Sequence, residues 1–254
     1  MFAPRPLVAA LRPHQWTKNF LVFAPIALSK HLFEADAFLR ASLAFAIFCG
    51  LPGTVYLIND LADIERDRLH PKKRLRPLAS GSLRPRAAQV AAVALGLLGL
   101  GLSAALGRAF LAVAAGYVAL NLLYSFRLKH VVILDVIAIS LGFVLRAVAG
   151  SVAISVPFSD WLLVCTLLLA LFLALAKRRH ELVTLGGTDH REILADYSPY
   201  LLDQMIAVVT ASCLMAYAFY TLAPETVEKY QTDRLALTIQ EVSRLVYAWV
   251  SKQK

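Results

Sequence analysis

Residues 38–67 read FLRASLAFAIFCGLPGTVYLINDLADIERD, an apolar run that ends in a cluster of acidic side chains. The run 38–60 has the roughly 20 residues that a helix needs to cross the hydrocarbon core of a bilayer. Lipid offers the backbone no hydrogen-bonding partners, and the run shows no strand-like alternation, so we predict a transmembrane helix. The carboxylates then lie where this helix leaves the membrane.

Similar apolar runs recur along the 254-residue chain, which is 59% hydrophobic and only 17% charged, with a mean hydropathy of +0.63. We therefore predict an all-α, polytopic transmembrane helical bundle that forms one domain over residues 1–254. An eighth candidate span near 235–250 is interrupted by Gln240, Glu241 and Arg244, and charges at mid-bilayer depth are costly. The seven predicted spans are 19–33, 38–60, 87–106, 109–126, 131–153, 161–176 and 200–222.

Basic residues sort to one side of this predicted topology. The outward segments carry only Lys30, Arg108, Lys229 and Arg234, whereas the loops 63–86 and 177–199 and the N-terminus are rich in Lys and Arg. The positive-inside rule therefore predicts a cytoplasmic N-terminus and cytoplasmic polar loops, in a bacterial inner membrane. Orientation in the bilayer accounts for the net charge of +9, which excludes a nucleic-acid binder. The basic N-terminus lacks a cleavage-site pattern, so no removable signal peptide is expected.

The acidic cluster at the end of the second predicted span is the most informative feature. Asp60, Asp63 and Asp67 stand at positions i, i+3 and i+7, which places three carboxylates on one face of a helix. Like charges at this spacing repel unless a cation lies among them, and hard carboxylate oxygens suit Mg²⁺. We predict these three aspartates as metal ligands and catalytic residues. The alternative is a solvated helix end that Arg66 and Arg68 neutralise.

A basic loop, residues 70–81, follows the acidic cluster directly and reads HPKKRLRPLASG. A phosphorylated substrate needs such a pairing, because Mg²⁺ bridges phosphate oxygens while basic side chains neutralise the rest. We expect Arg66, Lys73, Arg74 and Arg76 to contact this substrate. Taken alone, the loop is equally compatible with a membrane anchor that touches anionic headgroups.

Asn59-Asp60-x-x-Asp63-x-x-x-Asp67 resembles the first Asp-rich motif of the UbiA superfamily of intramembrane prenyltransferases. The stretch Arg12-Pro13-x-Gln15-Trp16-x-Lys18-Asn19, the loop 70–81, Tyr124-Ser125 and residues 135–150 make it similar to the superfamily's polyprenyl-phosphate phosphoribosyltransferase branch. The resemblance implies a helical bundle around a lipid-accessible cavity, with Mg²⁺ and phosphoribosyl pyrophosphate (PRPP) at its cytoplasmic mouth. It also implies a polyprenyl (decaprenyl) phosphate acceptor, a role in cell-wall arabinan precursor synthesis, and a homotrimer.

Further polar residues are candidates for substrate binding. Asp135 and Arg146 lie eleven residues apart on the fifth predicted span, close to three helical turns, so we expect both to face the same cavity. A structural interhelical contact is at least as consistent with Arg146. The family's Tyr-x-x-x-Lys pattern is here lengthened by one residue between Tyr124 and Lys129, with Arg127 intervening, which leaves open which basic side chain meets the phosphate. Besides Arg66 and the residues of the basic loop, the candidates for substrate binding are Gln15, Lys18, Asn59, Tyr124, Lys129, Asp135, Arg146, Lys177 and Arg178.

Two other functions remain open at this stage. The first is a prenyltransferase that moves a prenyl group from a prenyl diphosphate to an aromatic acceptor. The run Lys177–Glu181 argues against it, because aromatic prenyltransferases of the superfamily usually carry a second Asp-rich motif there. The second is a transporter or a non-enzymatic lipid-binding protein, which the crowding of polar residues on one side disfavours. Against the nine-helix family pattern, the chain also looks one or two helices short, with an atypical end at 235–254.

Overall fold

The computed structural model describes residues 4–157, 159–184 and 197–230, and within these ranges the regular structure is helical throughout. Short 3₁₀ helices occupy Pro13–Phe23, Lys73–Leu75 and Leu128–His130. The all-α prediction is confirmed. The α-helices are α1 (Pro4–Ala10), α2 (Ala24–Leu28), α3 (Ala35–Ala62), α4 (Ile64–Leu69), α5 (Pro85–Ala105), α6 (Arg108–Phe126), α7 (Leu134–Ala153), α8 (Asp160–Thr184), α9 (Pro199–Leu222) and α10 (Pro224–Tyr230).

Six of these helices, α3 and α5 to α9, are long and apolar enough to cross a membrane. They correspond to six of the seven predicted spans, and the chain is an integral membrane protein. In α3 and α7, 61% of the most apolar stretch is buried, against 22–33% in the other four. The two most enclosed helices therefore carry Asp60, Asp135 and Arg146. The candidate span near 235–250 lies outside the described residues.

The predicted span 19–33 differs, because the chain there forms a 3₁₀ helix up to Phe23 and then the short α2. Proline explains the change of geometry. Pro25 has no N–H with which to bond the carbonyl of Leu21, and that carbonyl accepts the N–H of Ala24 instead. A long α-helix is therefore interrupted at this point.

One compact unit comprises residues 1–129 and 142–157. Within it, α3 packs against α5, α6 and the 3₁₀ helix Pro13–Phe23, around buried Phe48, Phe110 and Tyr117. Small residues permit the close approaches on which helix association in lipid depends. A Cβ on Gly150 would lie 2.0 Å from the Val22 carbonyl oxygen, so α7 and the 3₁₀ helix touch backbone to backbone there.

The second compact unit comprises residues 130–141 and 158–254, and the division between the units falls within α7. In this unit α8 and α9 pack along each other around buried Phe172, Leu175 and Leu202. Helix α8 continues to Thr184. The run Lys177–Glu181 therefore lies within this helix, and the prediction of a loop beginning at residue 177 is wrong by about two turns.

Candidate functional site

The acidic cluster lies where α3 gives way to α4. Asp63 occupies the turn between the two helices, so the predicted helical face is interrupted at this residue. The path of the chain stays nearly helical, because the Asp63 N–H bonds the Asn59 carbonyl at 2.9 Å and the Asp67 N–H bonds the Asp63 carbonyl at 2.8 Å. Asp60 and Asp67 are each only 2% exposed, whereas Asp63 is half-buried.

Two arginines from elsewhere in this unit compensate the buried carboxylates. Nη1 of Arg76 lies 3.1 Å from Oδ1 of Asp60 and 2.7 Å from Oδ2 of Asp67, so a single nitrogen bridges both side chains. Nη2 of Arg12 lies 2.6 Å from the same Oδ1 of Asp60. Buried carboxylates require such paired cations.

The predicted alternative, neutralisation by Arg66 and Arg68, is wrong. Arg68 instead pairs with Glu65 at 2.8 Å, and both of these side chains are largely exposed. Arg66 is exposed and forms no ion pair within the described part of the chain. Within the described residues, the nearest arginines in sequence therefore form no ion pair with the carboxylates that they were expected to balance.

Arg12 belongs to the site, although in the sequence it counted only as part of a family-like stretch and was not predicted as a site residue. Its backbone is in the left-handed region, with φ 55° and ψ 61°, which costs a residue with a side chain about 1–2 kcal/mol. Its guanidinium also stacks over the Tyr56 ring, 4.5 Å from the centroid. Strain of this kind collects at functional sites. The available sequence signal was the family-like stretch that begins at Arg12, because a residue before proline is by itself expected to be extended.

Other predicted site residues lie beside this cluster. The Tyr56 hydroxyl, one helical turn before Asp60, lies 3.4 Å from Oε1 of Gln15, which also accepts a hydrogen bond from Lys18 at 2.9 Å. The Asn59 amide donates to the Ser125 hydroxyl at 2.8 Å, which ties α3 to the end of α6 beside Tyr124. Around them on this unit are half-buried Lys73 and Lys129 and exposed Arg74.

The acidic cluster offers carboxylate oxygens, the type of ligand that Mg²⁺ prefers. Within residues 4–157, 159–184 and 197–230, no group of three or more His, Cys, Asp or Glu side chains is arranged to hold a metal ion. Mg²⁺ commonly takes only one or two carboxylates and completes its shell with water and substrate phosphates. Asp60 and Asp67 each commit one oxygen to arginine, and their other oxygens accept no hydrogen bond from the described residues. This pair of hard oxygen donors fits Mg²⁺.

Arg146 lies within a polar network in the core of the first unit. Its Nε donates to Asn19 at 2.9 Å, its Nη1 to the Gly142 carbonyl at 2.9 Å, and its Nη2 to the Tyr117 hydroxyl at 2.6 Å. Hydrogen bonds and the Tyr117 ring thus satisfy a guanidinium that has no carboxylate partner among the described residues. These contacts match the structural alternative for Arg146, and in the described structure it shares no partner with Asp135.

Asp135 belongs to a separate network in the second unit. This side chain is fully buried; its Oδ2 accepts the Arg178 Nε at 2.7 Å, and its Oδ1 accepts the Tyr197 hydroxyl at 2.7 Å. Nη1 of Arg178 contacts Glu181 at 2.6 Å. Lys177 is two-thirds exposed and lies 3.8 Å from Glu181. The structure therefore places Asp135 and Arg178 in a buried ion pair that ties α7 to α8.

Tyr197 is a member of this network that was not predicted as a site residue. Burial raises the pKa of Tyr197, and its hydrogen bond to Asp135 raises it further, so the phenol stays protonated and donates. The same oxygen accepts the N–H of Ile133 at 2.7 Å. Ile133 has a φ of 70°, an outlier for a β-branched residue, which this contact helps to hold in place.

Comparisons with known proteins agree with these observations. Residues 20–181 match the sequence profile of the UbiA prenyltransferase family. A decaprenyl-phosphate phosphoribosyltransferase of Corynebacterium glutamicum is 39% identical over 220 residues, which are 84% of this chain and 66%, just under two thirds, of that protein. An enzyme of the same name from Mycolicibacterium smegmatis is 35% identical over 243 residues, 93% of this chain and 75% of that protein.

Solved structures show a similar fold. A UbiA homolog from Archaeoglobus fulgidus bound to GPP and Mg²⁺ superposes with a TM-score of 0.75, over 96% of this chain and 87% of that chain, at 20% identity. The same homolog has been solved with DMAPP and Mg²⁺. At this level of identity the likeness shows the fold alone.

Proposed function

This chain belongs to the UbiA prenyltransferase family, as its motifs predict, and on that premise we propose that it transfers a 5-phosphoribosyl group from PRPP to a polyprenyl phosphate. The relatives named decaprenyl-phosphate phosphoribosyltransferase support this choice within the family. The observation that carries the proposal is the buried carboxylate pair, Asp60 and Asp67, bridged by one nitrogen of Arg76. Such a site combines donors for Mg²⁺ with a cation for phosphate.

Asp60, Asp63 and Asp67 would hold the Mg²⁺. When bound, this ion supplies the charge that draws electrons from the diphosphate oxygens as they leave. Asp60 is fixed for this role by Arg12, whose guanidinium is itself held against Tyr56. The Asn59 amide, anchored on Ser125, keeps the end of α3 in place.

The basic loop supplies the remaining contacts to the donor. Arg76, Lys73 and Arg74 follow the acidic cluster within one short segment, and all three keep part of their surface in contact with solvent. Guanidinium groups bind phosphate oxygens with two parallel hydrogen bonds, whereas ammonium groups act as point charges. These side chains would orient the diphosphate so that it departs away from the incoming acceptor, and exposed Arg66 on α4 would add a further phosphate contact.

In the reaction, an oxygen of the acceptor phosphate forms a bond to the anomeric carbon of the ribose, and the bond from that carbon to the diphosphate breaks. The electron pair leaves with pyrophosphate. The acceptor is already an anion at neutral pH, so it needs positioning rather than a strong base. The candidate cations on the first unit are Lys18, which is hydrogen-bonded to Gln15, and Lys129, five residues after Tyr124. Arg146 would stabilise the core of the first unit and would not bind the acceptor, because its three nitrogens already donate to protein oxygens.

The basic residues of α8 favour PRPP over a prenyl diphosphate as the donor. Lys177, Arg178 and Arg179 stand in α8 where aromatic prenyltransferases usually carry a second acidic motif, which favours a single acidic site and a phosphorylated sugar. We further propose an inner-membrane location with the acidic cluster on the cytoplasmic side, since water-soluble PRPP enters from there while the polyprenyl tail stays among the apolar helices.

A donor-selection assay tests this assignment. Purified protein in lipid nanodiscs receives Mg²⁺ and decaprenyl phosphate with radiolabelled PRPP, or an aromatic acid with labelled geranyl diphosphate. We expect lipid-linked label only from PRPP. Label transfer from the prenyl diphosphate instead would replace the proposed reaction with aromatic prenylation.

A further inference from the structure

We propose that Arg76 is an exchangeable counter-ion, which bridges Asp60 and Asp67 when no divalent cation is bound and moves to the donor diphosphate when the cation enters. The inference rests on the proposed function, because it takes these two aspartates as metal ligands. It goes further by making the binding of the metal and the binding of the donor depend on each other through one side chain.

Arg76 lies between the two carboxylates. Its Nη1 contacts an oxygen of Asp60 at 3.1 Å and an oxygen of Asp67 at 2.7 Å, so one positive group lies between two carboxylates that are each 2% exposed. This is the arrangement expected of a cation that bridges the pair. A buried carboxylate pair without such a charge would be strongly unfavourable, so the metal-free protein needs this guanidinium.

The Arg76 side chain can turn away from the carboxylates, whereas the Arg12 side chain is held. Arg76 engages the carboxylates through Nη1 alone, and within the described residues its Nε and Nη2 donate no hydrogen bond. Its side chain is 31% exposed. Its backbone is fixed, since its N–H bonds Lys73 and its carbonyl accepts from Ser80 at 2.8 Å. The side chain can therefore leave the carboxylates without any rearrangement of the loop.

Arg12 lacks this freedom. Its guanidinium is stacked on Tyr56 and contacts Asp60 at 2.6 Å, so it keeps its place beside that carboxylate. The two arginines thus have different roles. Arg12 positions Asp60 in every state, whereas Arg76 competes with the metal.

Competition between Arg76 and the metal couples the binding of the metal to the binding of the diphosphate. A divalent cation alone must displace a charged side chain, so it binds weakly. When a diphosphate is also present, the displaced guanidinium gains an anion that can accept from its unused N–H groups, and both ligands bind more tightly. The coupling is reciprocal by thermodynamic necessity.

Titration of the purified full-length protein with Mn²⁺, followed by the electron paramagnetic resonance signal of the free ion, tests the exchange. Neither PRPP nor acceptor is added. Removing the competing charge in Arg76→Gln should tighten Mn²⁺ binding on the order of tenfold, because charge-assisted contacts in a buried site are strong. The control Arg68→Gln deletes the same charge one residue after Asp67, from a side chain paired with Glu65, and should change affinity less than about twofold.

A second measurement separates exchange from a merely structural role. The affinity for inorganic pyrophosphate is determined by calorimetry at saturating Mn²⁺ in the wild type, Arg76→Gln and Arg68→Gln. The Arg76 variant should bind metal alone more tightly and pyrophosphate more weakly than the wild type. A variant that had only lost structure would bind both more weakly.

Unchanged or weaker Mn²⁺ binding by folded Arg76→Gln would overturn the inference. If this variant folds only with metal present, its unfolding temperature titrated with Mn²⁺ gives the affinity by linkage, and the same criterion applies. The opposite changes in metal and pyrophosphate affinity, observed in a protein that transfers no label from PRPP, would support the exchange and refute the transferase. The two claims are therefore tested separately.

Discussion

Replacing Asp135 by asparagine should break the buried ion pair of the second unit and lower the free energy of unfolding. Asp135 is 0% exposed, and its two oxygens accept from Arg178 and from Tyr197, each at 2.7 Å. The substitution Asp135→Asn keeps the shape but removes the charge and one of the two acceptors. Either the Arg178 Nε–H or the Tyr197 hydroxyl then faces an amide NH₂ group.

Two effects set the expected size of this change. Breaking a buried ion pair by removing one partner costs about 3–5 kcal/mol. Glu181 remains 2.6 Å from Nη1 of Arg178, so the guanidinium keeps one carboxylate partner and the cost is reduced. A buried donor left without an acceptor costs about 1–3 kcal/mol. We therefore expect Asp135→Asn to lower the free energy of unfolding by about 3 kcal/mol.

The assay is equilibrium unfolding of the purified protein in mixed micelles, monitored by tryptophan fluorescence. Asp203→Asn is the matched control, because Asp203 pairs with Arg179 between α8 and α9 but is about half exposed. An exposed pair contributes about 0–1 kcal/mol, so this variant should stay close to the wild type. An Asp135→Asn protein of wild-type stability that fails to bind PRPP would refute the structural role and return Asp135 to the substrate site.

Two further predictions concern the acidic cluster and the packing of α7. Asp60→Asn and Asp63→Asn should each lower label transfer from PRPP at least about a hundredfold while the protein still inserts into the membrane. The turnover of the purified variants measures this effect, and near-normal turnover would remove the metal assignment. Gly150→Ala should lower the free energy of unfolding by about 1–3 kcal/mol, because the added methyl would meet the rigid Val22 carbonyl. The control Gly116→Ala has open space around it and should change the free energy of unfolding by less than about 1 kcal/mol in the same unfolding measurements. Equal effects of the two alanine substitutions would contradict the close backbone contact.

Much of the fold followed from local sequence pattern. Apolar runs long enough to span a bilayer gave six of the spanning helices, because lipid leaves the backbone no alternative to the helix. The exception, 19–33, depended on one missing N–H at Pro25, a local detail that hydropathy does not register. The acidic cluster was equally visible, since its three aspartates lie within eight consecutive residues, about two helical turns.

The partners of the charged residues could not be read in the same way. Arg12 and Asp60 are 48 positions apart, and Asp135 and Arg178 are 43 apart, so only the packing of distant helices brings them together. The sequence offered Arg68 as a neighbour of the aspartates, but its place on α4 directs it to Glu65. Helical periodicity places a residue on a face, whereas an ion pair depends on what the fold puts opposite that face.

Transfer of label from PRPP to decaprenyl phosphate tests the central claim most directly. The protein is reconstituted in nanodiscs with both substrates and Mg²⁺, with and without EDTA, and the lipid fraction is analysed for phosphoribosyl product and the water phase for pyrophosphate. We expect equal amounts of lipid-linked label and pyrophosphate, both abolished by EDTA and restored by excess Mg²⁺. Absence of lipid-linked label in the presence of Mg²⁺, from folded protein, would contradict it.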